Sequence, residues 1–389
     1  MTETAACEDS ALRGLRVVDL SRILAGPLCT QTLADHGADV IKVEPPGGDD
    51  TRDWGPPFDG DTAAYFLAVN RGKRSVVLDL STADGVAGLH DLLADADVLV
   101  ENMRPGRLAR WGVGDDSEIA TRYPRLIHCH VSGYGTTGPL SGRPGYDATI
   151  QAMTGLMSVN GAADGPATRI GVPLVDMATG ANAVIGILLA LAERQRSGRG
   201  QKVEVSLFDS GLALMHPHMG NLLHGGAPPR RTGNAHPNIA PYSGFATATG
   251  DVFLAVGNDT QFRRLCAALD APDLARDPAF ATNADRCANR DRLADALGRL
   301  LARCDGDSLL EDLAARGVPC APLLELPQAL AHPQARARQS VVQAQGQPGC
   351  ASPIRLGRTP AAYPRRPPRL DEHRDELPGA AGRAAKGGT

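Results

Sequence analysis

Lysine is nearly absent from this chain: Lys42, Lys73, Lys202 and Lys386 are the whole complement, against 40 Lys and Arg together. Positive charge is carried by arginines spread along the sequence, which makes any single one a weak ligand candidate. A formal net charge of −4 gives no reason to expect non-specific nucleic-acid binding, which would call for a basic stripe. No C-x-x-C pair occurs among the eight cysteines. A chain of 389 residues needs no disulfide staples, and its thiols point to a reducing compartment. The opening MTETAACEDS lacks a basic stretch followed by an apolar run, so no secretory signal is read there. The longest strongly apolar run, residues 181–192, includes Asn182 and is too short to span a bilayer, so it reads as a buried helix. A cytoplasmic protein with no membrane partner is the resulting expectation. Neither G-x-S-x-G nor G-x-x-x-x-G-K-[ST] occurs, which disfavours serine-hydrolase and P-loop chemistry.

What is present is an alternation of strand and helix patterns over the first 130 residues. Residues 15–20 (LRVVDL), 39–44 (DVIKVE), 75–80 (SVVLDL), 97–101 (DVLVE) and 126–132 (LIHCHVS) are apolar runs of strand length. Helical spacing follows the first of them, from Pro27 to His36, and recurs over 84–94. Such units build a parallel, doubly wound, Rossmann-like α/β sheet. Ligands of these sheets lie at the carboxyl ends of the strands, here 21–26, 101–106 and 132–138. The Pro- and Gly-rich stretch 225–241 reads as a linker or a long crossing segment. A smaller α+β domain follows, with a hairpin over 242–247 and 252–256, helices over 261–269, 290–304 and 309–315, and a strand over 318–326. The tail 378–389, rich in Gly and Ala, is expected to be disordered.

Two patterns invite misreading. Gly133-x-Gly135-x-x-Gly138 matches the dinucleotide fingerprint and follows a strand, but Pro139 and LSGRPG stand where the phosphate-binding helix would start. His128 and His130 share one face of a strand. No second pair has metal-ligand spacing, so two hydrogen-bonded buried histidines are expected. The informative stretch is 142–200. There Asp176 lies between the apolar run 172–175 and the small residues Ala178, Thr179 and Gly180, at the entrance of a helix. The helix N-terminus is expected to favour its charged form, and the small neighbours to leave room for a reacting group. Aspartate is also a common helix cap, and the local pattern does not choose between cap and nucleophile.

The blocks LRGLRVVDLSRILAGPLCTQTLADHGADVIKVEPPGGDDTR, NRGKRSVVLDL, DVLVENMRPGRLARWG, SGYGTTGPLSGRPGYDA, DMATG with the SGRGQ turn, SPIRLGRTP and HRDEL occur in order along most of the chain. With them the chain resembles the class III CoA-transferases, the formyl-CoA and carnitine CoA-transferase type. The resemblance implies that Asp176 is the nucleophile, attacking an acyl-CoA and passing through a mixed anhydride to an aspartyl-CoA thioester. It further implies that Arg22, Ile23, Leu24, Ala25, Leu78, Asn102, Met103, Arg110, Tyr146 and Asp147 bind CoA, with Arg104 and Arg107 as alternatives for the phosphates. CoA enters as substrate, and no permanently bound cofactor or metal is implied. SPIRLGRTP implies a return to the large domain. The division is then 1–224 for the first part of the large domain, 225–331 for linker and small domain, and 332–377 for the return. An interlocked homodimer is also implied.

Pro45 and HPNIAPY (236–242) depart from the formyl-CoA type and speak against oxalate as acceptor. The 142–180 block is closer to transferases acting on dicarboxylates, and Arg169 is a candidate partner for a distal carboxylate. The rival readings are an acyl-CoA racemase and a non-catalytic CoA-binding protein. Racemases of this fold carry a histidine where Tyr146 stands, and a phenol is a poor base at neutral pH.

Overall fold

The structure is a computed structural model that describes residues 10–376; the tail expected over 378–389 lies outside the described residues. The chain forms two compact units. The larger takes in the described chain to Leu156, Ile170–Met215 and the described chain from Pro333, and the smaller takes in Met157–Arg169 and His216–His332. The boundary therefore falls at His216 rather than 225, and the 157–169 segment joins the smaller unit, where Gly233 N–H bonds to Gly161 O.

The larger unit is built on six strands: β1 (Arg16–Asp19), β2 (Asp39–Glu44), β3 (Lys73–Val77), β4 (Val98–Glu101), β5 (Ile127–Ser132) and β6 (Lys202–Ser206). They are all parallel, in the order β3-β2-β1-β4-β5-β6. Val17, Val18, Val98, Leu99 and Val100 are completely buried. Central parallel strands covered on both faces need such continuous apolar runs. The order reverses between β1 and β4, and the loops after these two strands part there to leave a crevice. β6 is a strand that the hydrophobic pattern does not announce. It sits at the sheet edge and exposes Lys202 and Glu204 in alternation with half-buried Val203 and Val205.

The helices that matter to the crevice are α1 (Ala25–Asp35), α2 (Ala83–Ala94), α3 (Asp147–Met153) and α4 (Leu174–Ser197). Twenty-four residues of α4 run past the expected apolar stretch at both ends, and by length and composition it is long enough to cross a bilayer. It packs on α1, β5 and β6 through Val175, Thr179, Ala183, Ile187 and Ala190. The expectation of a wholly buried helix is corrected on its other face, where Ile185 is 55 % exposed and Leu189 67 %. Gly180 explains how close α4 comes to α1: a Cβ there would stand 2.7 Å from the carbonyl oxygen of Ala25.

The opposite edge strand, β3, is closed by the returning chain. His373 N–H bonds to Ser75 O, Ser75 N–H to His373 Nδ1, and Val77 N–H to a carboxylate oxygen of Asp371. Arg374 donates to Val77 O. One backbone amide and the side chains of His373, Asp371 and Arg374 thus stand in for a seventh strand and satisfy an edge that would otherwise be open to pairing.

The smaller unit holds a three-stranded antiparallel sheet of β7 (Tyr242–Ala246), β8 (Asp251–Ala255) and β9 (Cys320–Pro322), with β8 in the middle. Helices α5 (Asp259–Ala268), α6 (Arg290–Leu301) and α7 (Gly306–Ala315) supply Phe262, Leu265, Leu297, Leu301 and Leu313 to its core. The strand expected over 318–326 pairs only at Cys320–Pro322. Glu325 and Gln328 form a capping box that turns the chain into a helix at Leu326–Ala331.

Candidate active site

A cavity of about 760 Å³ opens at the carboxyl ends of the parallel strands of the larger unit. Arg22, Ile23, Leu24 and Ala25 line it after β1, Leu78 after β3, and Asn102, Met103 and Arg110 after β4. Tyr146 and Asp176 complete the sequence-derived set found there, and Arg104, Arg107 and Arg143 add further guanidinium groups. Two expected residues are not on its wall. Arg169 is exposed and belongs to the smaller unit. Asp147, also expected among the CoA-binding residues, is buried and turns both carboxylate oxygens to internal donors.

The loop after β1 is held in an unusual conformation. Ile23 has φ 74°, a left-handed geometry that a β-branched residue adopts only when its surroundings impose it. Asn102 grips the preceding residue twice, accepting from Arg22 N at 3.0 Å and donating to Arg22 O at 2.7 Å. Ile23 N–H points to Asp49 Oδ1 at 3.4 Å. The other oxygen of Asp49 pairs with Lys42 Nζ at 2.9 Å, and Lys42 also donates to Ser21 O at 2.9 Å. Beside it Lys73 pairs with Asp19 at 3.0 Å, and all four of these charged side chains are fully buried. Burial alone would raise the Asp19 carboxyl, but Lys73 and Lys42 outweigh it and bring it down to about 2. Burial lowers the Lys73 ammonium to about 8 in spite of Asp19.

On the other side of the switch point, Glu101 is held between His128 and His130 and accepts from Met103 N–H at 2.7 Å. Burial would raise Glu101, but the two histidines bring it to about 2. The histidine pair therefore serves to anchor the loop after β4, and no metal-ligating cluster exists among the described residues. The glycine run after β5 is likewise structural. Gly133 crosses Gly145 so closely that a Cβ on either would lie 2.7–2.8 Å from the other's backbone. That crossing brings Tyr146, at the start of α3, to the cavity. Gly135 N–H is taken by Ser132 Oγ and Thr136 N–H by Glu204, so neither amide is spare for an oxyanion.

Asp176 sits in the first turn of α4. Three carboxylates line the cavity: Glu44, Asp79 and Asp176. Glu44 is bound by Arg52 and Ser75, and Asp79 by Ser81. Among the described residues nothing donates to the side chain of Asp176. Burial, with Asp147 behind it, pushes its carboxyl up to about 7. This corrects the expectation that the helix N-terminus favours its charged form. The amides that would do so, of Val175 and Asp176, already bond to Asp147 Oδ2 at 2.8 and 3.2 Å.

The model of CoA-transferase family III matches residues 12–374. The chain belongs to CoA-transferase family III. A succinate–glutarate CoA-transferase of Agrobacterium fabrum is 42 % identical over 378 residues, 94 % of each chain. An acetyl-CoA:oxalate CoA-transferase of Acetobacter aceti is 40 % identical over 376 residues, 96 % of each. Among solved structures, a CAIB/BAIF family protein from Brucella suis is 43 % identical with a TM-score of 0.85, covering 95 % of this chain and 98 % of that one. This family III CoA-transferase thus has a mixed α/β fold with a large parallel sheet, as its strand pattern leads one to expect. Its substrates are CoA thioesters.

The anchoring residues Asp19, Lys42, Asp49, Lys73 and Glu101 were not singled out from the sequence. One signal pointed to two of them. In a chain that otherwise uses arginine, lysine is kept at positions 42 and 73, where a compact ammonium is completely enclosed.

Proposed function

We propose that this enzyme moves CoA from an acyl-CoA donor to a dicarboxylic acid, with the Asp176 carboxylate as covalent carrier. One observation carries the reading: Asp176 is the cavity carboxylate without a side-chain donor among the described residues, whereas Glu44 and Asp79 are bound. The carboxylate attacks the thioester carbonyl, giving a mixed anhydride and CoA thiolate. The thiolate then attacks the Asp176 acyl carbon, giving the aspartyl thioester and the free donor acid. An acceptor carboxylate reverses both steps. Bonds of similar energy are exchanged, so no outside energy source is needed. The first turn of α1 has no side-chain cap and begins at Ala25 on the cavity wall; Pro27 has no N–H and Leu28 N–H bonds to Leu24 O, which leaves the amides of Ala25 and Gly26 as candidate oxyanion donors. Arg22, Arg104, Arg107 and Arg110 supply guanidinium groups suited to the CoA phosphates.

Dicarboxylates are supported by the names of the two relatives, which specify succinate and glutarate, and oxalate. The second name keeps oxalate among the candidate acceptors. Tyr146 lines the cavity where a racemase would need its histidine, which favours transfer. Mixing the enzyme with succinyl-CoA and measuring intact mass is expected to give a covalent CoA adduct that is missing from Asp176→Ala. An adduct on the variant, or none on the wild type, overturns the reading. Deuterium entering the α-carbon of an acyl-CoA without acceptor acid would favour racemisation instead.

A homodimer is part of the same reading, supported by the exposed apolar residues Ile185, Leu188 and Leu189 of α4. Light scattering is expected to give twice the chain mass of 40.7 kDa. A folded monomer on dilution would count against it.

A further inference from the structure

The turn of chain that carries Asp176 is suspended from α3 by a hydrogen-bond chain whose direction is fixed. Ile170 N–H donates to Gln151 Oε1 at 2.9 Å, so the amide nitrogen of Gln151 must face the other way. It does, donating to Asp147 Oδ1 at 2.5 Å. Asp147 Oδ2 receives the amides of Val175 and Asp176. Gln151 is completely buried and Asp147 nearly so. Both oxygens of Asp147 therefore meet N–H donors, and the site accommodates an acceptor-only group: a carboxylate with no proton. It replaces the cap that Pro173, at the helix entrance, has no side chain to provide.

We propose that Asp147 is a positioning residue for the transfer reaction, hanging the first turn of α4 from α3 and fixing a negative charge behind Asp176. The inference rests on Asp176 being the nucleophile. The titratable groups facing Asp176 are Asp147 from α3 and Tyr65 from the Ala64–Leu67 turn. The helix Leu207–Ala213 carries Asp209, which is held by Ser206, and α1 presents no charged side chain to this turn. The remaining charged residues lining the same cavity are Arg22, Arg104, Arg107, Arg110 and Arg143, with Glu44 held by Arg52 and Ser75 and Asp79 held by Ser81.

The fixed charge has a chemical consequence. Two carboxylates held together repel, which makes the Asp176 carboxylate a stronger nucleophile once it has lost its proton. When Asp176 becomes an anhydride or a thioester it is neutral, and its negative charge has left on the thiolate or the released acid. Repulsion from Asp147 is relieved in every covalent intermediate, so the neighbour favours acyl capture over the resting carboxylate.

A swap separates position from charge. Asp147→Asn sets an N–H against the Gln151 amide, donor to donor. The double variant Asp147→Asn with Gln151→Glu restores every pair. The new asparagine accepts from the α4 amides through its carbonyl oxygen and donates its amide to one oxygen of the new glutamate. The other oxygen of that glutamate accepts from Ile170 N–H. The negative charge is then one link further from Asp176. For Asp147→Asn, kcat for succinyl-CoA with glutarate is expected to fall about a hundredfold with little change in KM for the acyl-CoA, the cost of a small misplacement. The acid limb of adduct formation is expected to move to lower pH. The double variant should recover to within about tenfold of wild type, with the limb still displaced.

Wild-type kcat and an unmoved limb in Asp147→Asn would overturn the proposal, as would a folded double variant no faster than the single one. Should Asp147→Asn fail to fold, the double variant decides alone, because its failure to yield soluble, active protein rules out the hydrogen-bond bracket. A wild-type enzyme that takes no CoA adduct sinks the nucleophile assignment. One that takes it but is indifferent to Asp147→Asn sinks only the present inference.

Discussion

Asp176→Ala is expected to lower CoA transfer by at least about four orders of magnitude, the effect that removing a covalent nucleophile has elsewhere. Neither neighbouring cavity carboxylate can substitute, because Glu44 is tied to Arg52 and Ser75 and Asp79 to Ser81. Binding of the nucleotide should survive, since the strand-end loops that line the cavity are untouched. The same side chain is expected to set the pH dependence. With a carboxyl raised to about 7, the reactive, deprotonated form is the minority below that pH and the majority above it, so kcat/KM rises through an acid limb near 7. Folding shows the opposite trend. Asp176 binds its proton more tightly in the folded than in the unfolded chain, so its contribution to stability is full below the unfolded value of about 4 and is lost as pH rises through about 7. Asp176→Asn should then be more stable than wild type at pH 8 by about 1–3 kcal/mol, and inactive. Steady-state rates with succinyl-CoA and glutarate, and urea midpoints at both pH values, test the pair. Retained activity, or a variant less stable at high pH, contradicts the assignment.

Lys42→Met is the second large effect, and it falls on stability. The substitution leaves the fully buried Asp49 carboxylate without its partner and Ser21 O without its donor. Breaking a buried pair from one side costs about 3–5 kcal/mol, because the surviving charge has no solvent to turn to. Protein that still folds should bind CoA more weakly, since Asp49 also holds Ile23 in its left-handed conformation at the cavity wall. The double change Lys42→Met with Asp49→Leu removes both charges and should recover much of the loss. Denaturant midpoints decide it: an unchanged midpoint in Lys42→Met would mean that the pair contributes nothing.

The parallel sheet was legible because central strands buried on two faces must read as unbroken apolar runs, as in RVVD and VLVE. β6 escaped because an edge strand with charged residues on its solvent side has no such run. The strand ends led directly to the cavity wall, for which topology is sufficient. What did not follow from the sequence was the direction of side chains one residue apart. Tyr146 faces the cavity while Asp147 faces inward to α4. That difference depends on how Gly133 and Gly145 cross, which sequence spacing does not reveal. Arg169 fell in a segment assigned to the wrong unit, because the excursion over 157–169 is too short to show a composition of its own.

The closure of β3 bears on how the protein is made. Residues 371–374 are among the last described residues of the chain, yet they bind backbone groups of Ser75 and Val77, laid down some three hundred positions earlier. On the ribosome, the amino-terminal half can assemble its layers while one flank stays bare and adhesive throughout the remainder of translation. Messages cut short before this stretch would release a protein with an unsealed margin, prone to clump with its own kind.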